Sequence, residues 1–224
     1  MGCGDVLGHD EELLQPVGLS RDLPAGRAMR ADVNGRDLVV WRAMSGALAA
    51  WDNRCPHRGM RLSHGFVRGN RLACLYHGWH YETSGKCSYI PAHPDLDPPA
   101  TIQTVSYAVS ETAGVIWVGT DDKAMPPPGQ GDLVPLRSLI VDSAVQQINA
   151  AVPLTPFAGV APQFDGPSTV VMADVTLTVL FNPQTGARTQ LTLLAHSNPG
   201  LPMMRALSRW SEALRRTAET RAAA

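Results

Sequence analysis

The sequence predicts a mainly β protein, α+β overall. An antiparallel β domain is expected over residues 1–122, a Pro/Gly connector over 123–131, and a short, partial sheet with a C-terminal helix over 132–224. Three observations predict it. Through the first half, short runs rich in Val, Leu, Trp and Tyr alternate with Asn-Gly and Ser-Gly turns, the pattern of strands joined by hairpins. Met125-Pro126-Pro127-Pro128-Gly129-Gln130-Gly131 cannot enter a helix or a central strand, because consecutive prolines remove backbone donors and fix φ. Only beyond Pro202 do apolar residues take up a helical period.

In order along the chain, Asn34-Gly35 is a hairpin signal, and Leu38 to Trp41 is a strand dense in β-formers. Ser45-Gly46 turns the chain into a further strand, Ala47 to Trp51. Thr83-Ser84-Gly85-Lys86 turns it again, Tyr89 to Pro91 returns it, and Thr101 to Val109 with Val115 to Val118 form an antiparallel pair. Past the connector, Leu139 to Val152 has strand-like stretches. Thr169 to Phe181 and Arg188 to Ala195 form a hairpin of long strands through Asn182-Pro183-Gln184-Thr185-Gly186. Pro202 opens the helix, and Met203, Leu207, Trp210 and Leu214 fall on one stripe, expected to be buried within the chain.

The 224 residues suffice to bury a substantial core, and the net charge of −1 argues against nucleic acid or an anionic membrane as a general partner. No run approaches the ~20 apolar residues of a spanning helix. MGCGDVLGHDEE is acidic and lacks an apolar stretch, so neither a secretory signal nor a transit peptide is expected, and Val6 departs from the myristoylation pattern. A soluble, cytoplasmic protein is the expectation.

Chemistry concentrates between Asn53 and Tyr81. Two short loops stand there, Cys55-Pro56-His57-Arg58-Gly59 and Cys74-Leu75-Tyr76-His77-Gly78-Trp79. The sixteen residues between His57 and Cys74 allow a loop, a short strand and a return, so that the two Cys-His pairs can meet. Two thiolates and two imidazoles suit either a structural zinc or a [2Fe–2S] cluster in which histidines replace two cysteines on one iron. Ligand count does not separate the two. His64, His80 and His93 fall outside the loop spacing and are expected at the surface; Trp79 is read as a lid over the site, and Cys87 as a small apolar filler after the Gly85 turn.

C-P-H-R-G followed by C-x-x-H-G-W, with the preceding GRDLVVWRAMSGALAAWDN, resembles the Rieske domain at the front of Rieske non-haem iron oxygenases, over roughly residues 13–120. The resemblance implies a Rieske-type [2Fe–2S] cluster, with Cys55 and Cys74 on one iron and His57 and His77 on the other. Two ferric ions, two sulfides and two thiolates sum to zero, so such a centre accepts an electron more readily than a four-thiolate one. Potentials of about −150 to +300 mV follow, against about −400 mV for plant-type ferredoxins. Arg54, Arg58, Arg61, Arg68 and Arg71, with no acidic residue between Asp52 and Glu82, favour the reduced state further. The cytochrome-complex branch of the family has an extra disulfide-forming cysteine in each loop; these loops have none, which points to the oxygenase side and a reducing compartment.

Strands followed by a closing helix resemble the end of the oxygenase catalytic domain, a helix-grip-like sheet. That domain holds a mononuclear iron on two histidines and a carboxylate. Beyond residue 100 this chain has one histidine, His196. The resemblance therefore implies an electron-transfer or accessory subunit, not catalytic alone, in a hetero-oligomer with a catalytic oxygenase subunit and served by a ferredoxin or reductase donor. Two alternatives stand beside it: a complete oxygenase with an unrecognised iron site, and a non-enzymatic redox-sensing or scaffold subunit.

Overall fold

The computed structural model describes residues 14–119 and 133–222. The Pro/Gly connector and Cys3 lie outside the described residues. Ten strands precede the connector: β1 (Gln15–Leu19), β2 (Arg27–Val33), β3 (Arg36–Arg42), β4 (Leu48–Asp52), β5 (Phe66–Arg68), β6 (Arg71–Ala73), β7 (His80–Glu82), β8 (Cys87–Tyr89), β9 (Ser106–Thr112) and β10 (Val115–Gly119). They make two antiparallel sheets, one ordered β1-β10-β9-β4-β3-β2 and a smaller meander β5-β6-β7-β8. The β2–β3 hairpin closes through Asn34 and Gly35, both at positive φ (52° and 77°), the geometry that Asn-Gly supplies at least cost. The ladder of β9 starts at Ser106 rather than Thr101, because Gln103 bridges to Lys86 and Thr104 donates to the Gly85 carbonyl. Residues 101–105 thus brace the turn before β8.

After the connector come β11 (Val134–Val141), helix α1 (Val145–Ala151), β12 (Gln163–Phe164), β13 (Thr169–Met172), β14 (Val175–Gln184), β15 (Arg188–Ala195) and helix α2 (Gly200–Ala222). The sheet order is β11-β15-β14-β13-β12, all antiparallel. The expectation of strand through Val152 is corrected here: β11 stops at Val141, and the polar Gln146, Gln147 and Asn149 punctuate a helix that buries Ile148 and Ala151, three residues apart. The single long strand expected over Thr169–Phe181 is corrected to two, β13 and β14, paired antiparallel across a turn at Ala173 (φ 49°), and β14 runs on through Asn182 and Pro183 to Gln184. The pairing of β14 with β15 and the helix α2 are as expected, with Leu207, Trp210 and Leu214 buried and Met203 packed beside them.

Alternation along β15 gives this sheet two apolar faces. Leu191, Leu193 and Ala195 pack with Trp210 and Leu214 of α2, whereas Leu194 packs with Leu14, Leu19, Val115 and Trp117 from the first half. The two halves are also stitched by polar contacts: Asn182 donates to the Asp32 carbonyl (2.9 Å), Gln190 to the Val17 carbonyl (3.0 Å), and Arg21 to the carbonyls of Pro135 and Leu136.

Candidate metal centre

Two loops rise side by side, one from the end of β4 and one from the β6–β7 connection. They share a backbone skeleton. In the first, Cys55 N–H donates to Met60 O and Gly59 N–H to Cys55 O; in the second, Cys74 N–H donates to Trp79 O and Gly78 N–H to Cys74 O. Each loop therefore spans five residues from its cysteine and turns on a glycine at φ +70°. That conformation carries a steric cost for any residue with a Cβ. At Gly78 a Cβ would also stand 3.1 Å from Pro91. The loops differ in where the imidazole sits, two residues after the cysteine in one and three in the other.

The side chains sort by depth. Cys55 and Cys74 are both 3 % exposed and lie close enough to interact, whereas His57 is half-buried and His77 exposed. Burial, opposed by the backbone N–H groups of Tyr76 and His77 and reinforced by Cys55, pushes the Cys74 thiol above its ordinary range. The imidazole rings of His57 and His77 are 4.6 Å apart at a 60° tilt. Burial, then His77 and Arg58, hold His57 below the ordinary histidine value, so it is neutral at pH 7, the form that ligates a metal. Trp79 of the second loop stacks on His57 of the first, with centroids 4.2 Å apart and planes 4° apart, and Tyr76 stacks on His77.

Behind the thiols stands an aromatic wall. Trp41 and Trp51 meet edge to face at 5.1 Å, Trp51 meets Tyr81 at 6.4 Å, and the Tyr81 hydroxyl lies 3.1 Å from Cys55 Sγ. All three rings are fully buried. The sequence reading missed Tyr81 and its signal was faint: one Tyr in strand alternation two residues after Trp79.

It also missed the anchor of the first loop. Asn53, fully buried, donates from Nδ2 to Asp37 Oδ1 (3.0 Å) and accepts from Ser63 N–H at Oδ1 (2.7 Å), closing the loop at its base. Asp37 also accepts from Arg30 (2.6 Å) and faces Arg61 (3.2 Å), which carries the loop's far side. Burial opposes ionisation of Asp37, but Arg30, Asn53 and Arg61 outweigh it and hold the carboxyl below its ordinary range.

The remaining histidines among the described residues stand apart. His64 and His93 are exposed, His80 packs on Tyr89 at 5.1 Å, and His196 shares a 2.9 Å hydrogen bond with Thr178 Oγ1. Cys87 is buried, with its thiol raised by burial. Among the described residues, no three His, Cys, Asp or Glu side chains converge in the manner of a single-ion site. The two cysteines and two histidines of the loops stand instead as two pairs, thiols inward and imidazoles outward, a donor set that fits a binuclear centre with one pair on each iron.

Residues 14–113 match the family described as the Rieske [2Fe-2S] domain. This segment is a Rieske domain. It carries a [2Fe–2S] cluster of the Rieske type. Over 116 residues the chain is 41 % identical to the oxidoreductase NdmD of Pseudomonas putida, covering 51 % of this chain and 19 % of that protein. Over 105 residues it is 40 % identical to the oxygenase subunit of 3-chlorobenzoate-3,4-dioxygenase of Comamonas testosteroni, covering 46 % and 24 %. The chain thus matches a quarter or less of the length of these relatives. Dicamba monooxygenase bound to dicamba superposes with a TM-score of 0.75 at 17 % identity, over 95 % of this chain and 87 % of that one. The shared fold therefore extends past the Rieske domain through the β11–β15 sheet and α2. No helix of the described residues is long and apolar enough to cross a membrane.

Proposed function

We propose that this chain is an electron-transfer component of a Rieske-type oxygenase system, with its cluster held by Cys55 and Cys74 on one iron and by His57 and His77 on the other. The observation that carries this reading is the sorting of the four side chains into a buried thiol pair and an outward imidazole pair. When bound, such a cluster takes up and returns one electron at a time. The chain's own residues fix the terms: the aromatic wall keeps water from the sulfurs, Tyr81 and the backbone N–H groups of Tyr76 and His77 aim at them, and the imidazoles form the edge that partners can reach.

The same reading puts the mononuclear iron elsewhere. Within these 224 residues His196 is the one histidine beyond residue 100, and Thr178 occupies its Nε2. A catalytic oxygenase chain in a hetero-oligomer and a ferredoxin or reductase donor, all in the cytoplasm, complete the proposed system. A complete oxygenase in one chain is the second reading, favoured by the fold likeness that spans 87 % of dicamba monooxygenase.

The test is a count and an assay. Protein purified without oxygen should contain about two irons and two acid-labile sulfides per chain. Given NADH and a reductase it should be reduced, yet release no hydroxylated or demethylated product until a chain with the missing iron site is added. Cys74→Ser should then abolish turnover by the pair. A third iron that is lost on replacing His196, with turnover by the isolated chain, would replace this reading with the second; one zinc and no sulfide would end both.

A further inference from the structure

We infer that Trp79 and Tyr76 are positioning residues, which set the ring planes of His57 and His77; the inference rests on the ligand assignment proposed above. The rings form one consecutive row, Trp79 stacked on His57, His57 tilted 60° beside His77, and His77 stacked on Tyr76, with centroid spacings of 4.2, 4.6 and 3.8 Å. A histidine's outer torsion is broad and roughly two-fold, so its backbone does not fix the ring plane. Metal-ligating imidazoles are ordinarily oriented by an acceptor on the second ring nitrogen. Among the described residues no hydrogen bond reaches either of these rings, so the flat contacts of Trp79 and Tyr76 are what hold the planes. Trp79 acts on both loops at once: its carbonyl accepts from Cys74 N–H in the second loop, while its indole covers His57 in the first. Its 4° parallelism to His57 leaves that ring one plane, whereas a leucine there would leave it free to turn. Offset-stacked ring contacts of this kind change an equilibrium by between about two- and tenfold.

The experiment uses the anaerobically purified, cluster-loaded full chain. Trp79→Leu, Trp79→Phe and Tyr76→Ala are compared with the parent by the g-values and nitrogen couplings of the dithionite-reduced EPR signal, and by the half-time of cluster absorbance in excess EDTA. Trp79→Leu is expected to change the couplings of one imidazole and shorten the half-time between about two- and tenfold, with Trp79→Phe restoring both. Tyr76 is 56 % exposed, so Tyr76→Ala leaves the fold intact and should change the other imidazole's couplings at an unaltered unfolding temperature. Parent-like couplings in Trp79→Leu and Tyr76→Ala together would overturn the inference. Should Trp79→Leu fail to hold a cluster, Tyr76→Ala decides alone, parent-like couplings sinking the inference and altered ones sustaining it. A parent protein without nitrogen couplings, seen before any variant is made, would sink the ligand assignment instead.

Discussion

The Tyr81 hydroxyl is fully buried beside Cys55 Sγ. Burial first, and then Cys55, raise its pKa above the ordinary tyrosine range, so the hydroxyl is protonated at neutral pH and can donate to a Cys55 thiolate 3.1 Å away. A donor to a cluster sulfur favours the reduced state, whose sulfurs carry more negative charge. Tyr81→Phe should therefore lower the midpoint potential. A neutral hydrogen bond contributes ~0.5–1.5 kcal/mol, and tenfold in a one-electron equilibrium is about 59 mV, so a drop on the order of tens of mV is expected in a redox titration. The imidazoles supply a second dependence. As ligands in the proposed centre each would retain one ring proton beyond its ligating nitrogen, and a ferric ion would draw that proton off more readily than a ferrous one. The potential should be flat in acid and fall as pH rises through the oxidised-state histidine values; a flat alkaline limb would mean that the imidazoles are not ligands.

Among the elements, the first loop depends on β3 through Asp37. Its folded pKa lies below the ordinary 3.8, so its stabilising contribution is present above 3.8 and is lost as pH falls through the depressed value. Asp37→Asn should lower the thermal midpoint at pH 7, and the gap to the parent should close as pH drops well below 3.8. In the second half, Trp210 of α2 is 4 % exposed and donates to Thr155 O at 2.8 Å. Trp210→Ala should cost about 3–5 kcal/mol in chemical denaturation, from the cavity and the orphaned carbonyl together. Elements were legible wherever one local rule ruled alone: Asn34-Gly35 needs positive φ at both residues, and Met203, Leu207, Trp210 and Leu214 have a single period. Helix α1 was not, because seven residues show barely two turns and Val145, Ile148 and Val152 read equally as strand formers. The two loops were legible as ligand spacing, whereas Asn53, Asp37 and Tyr81 act across 10 to 26 residues of chain, and no spacing rule joins them.

At the scale of the whole molecule, Leu194 belongs to neither half alone. It is fully buried against Leu19, Val115 and Trp117, on the face of β15 opposite α2. Leu194→Ala should cost about 2–5 kcal/mol, and because the cavity opens between the halves, a single unfolding transition should separate into two. Visible absorbance of the cluster would follow the first half, and helical circular dichroism, supplied by α1 and α2, the second; coincident curves in the variant would show that the polar stitches at Gln190 and Asn182 suffice. This junction could not be read from sequence, since Leu193 and Leu194 are identical in type and only the pleat assigns them to different cores.

The depth sorting of the loop ligands also decides how the protein ages in air. Peroxide takes a thiolate first to reversible sulfenic acid and then to irreversible sulfinic and sulfonic acids, and accessible thiolates are attacked first. Cys55 and Cys74 are each 3 % exposed, whereas His57 is half-buried and His77 exposed, so an oxidant arriving from solvent meets imidazole more readily than thiol. Oxidative damage should accordingly begin with loss of iron and leave the cysteines intact, so that a bleached molecule remains one that can be rebuilt.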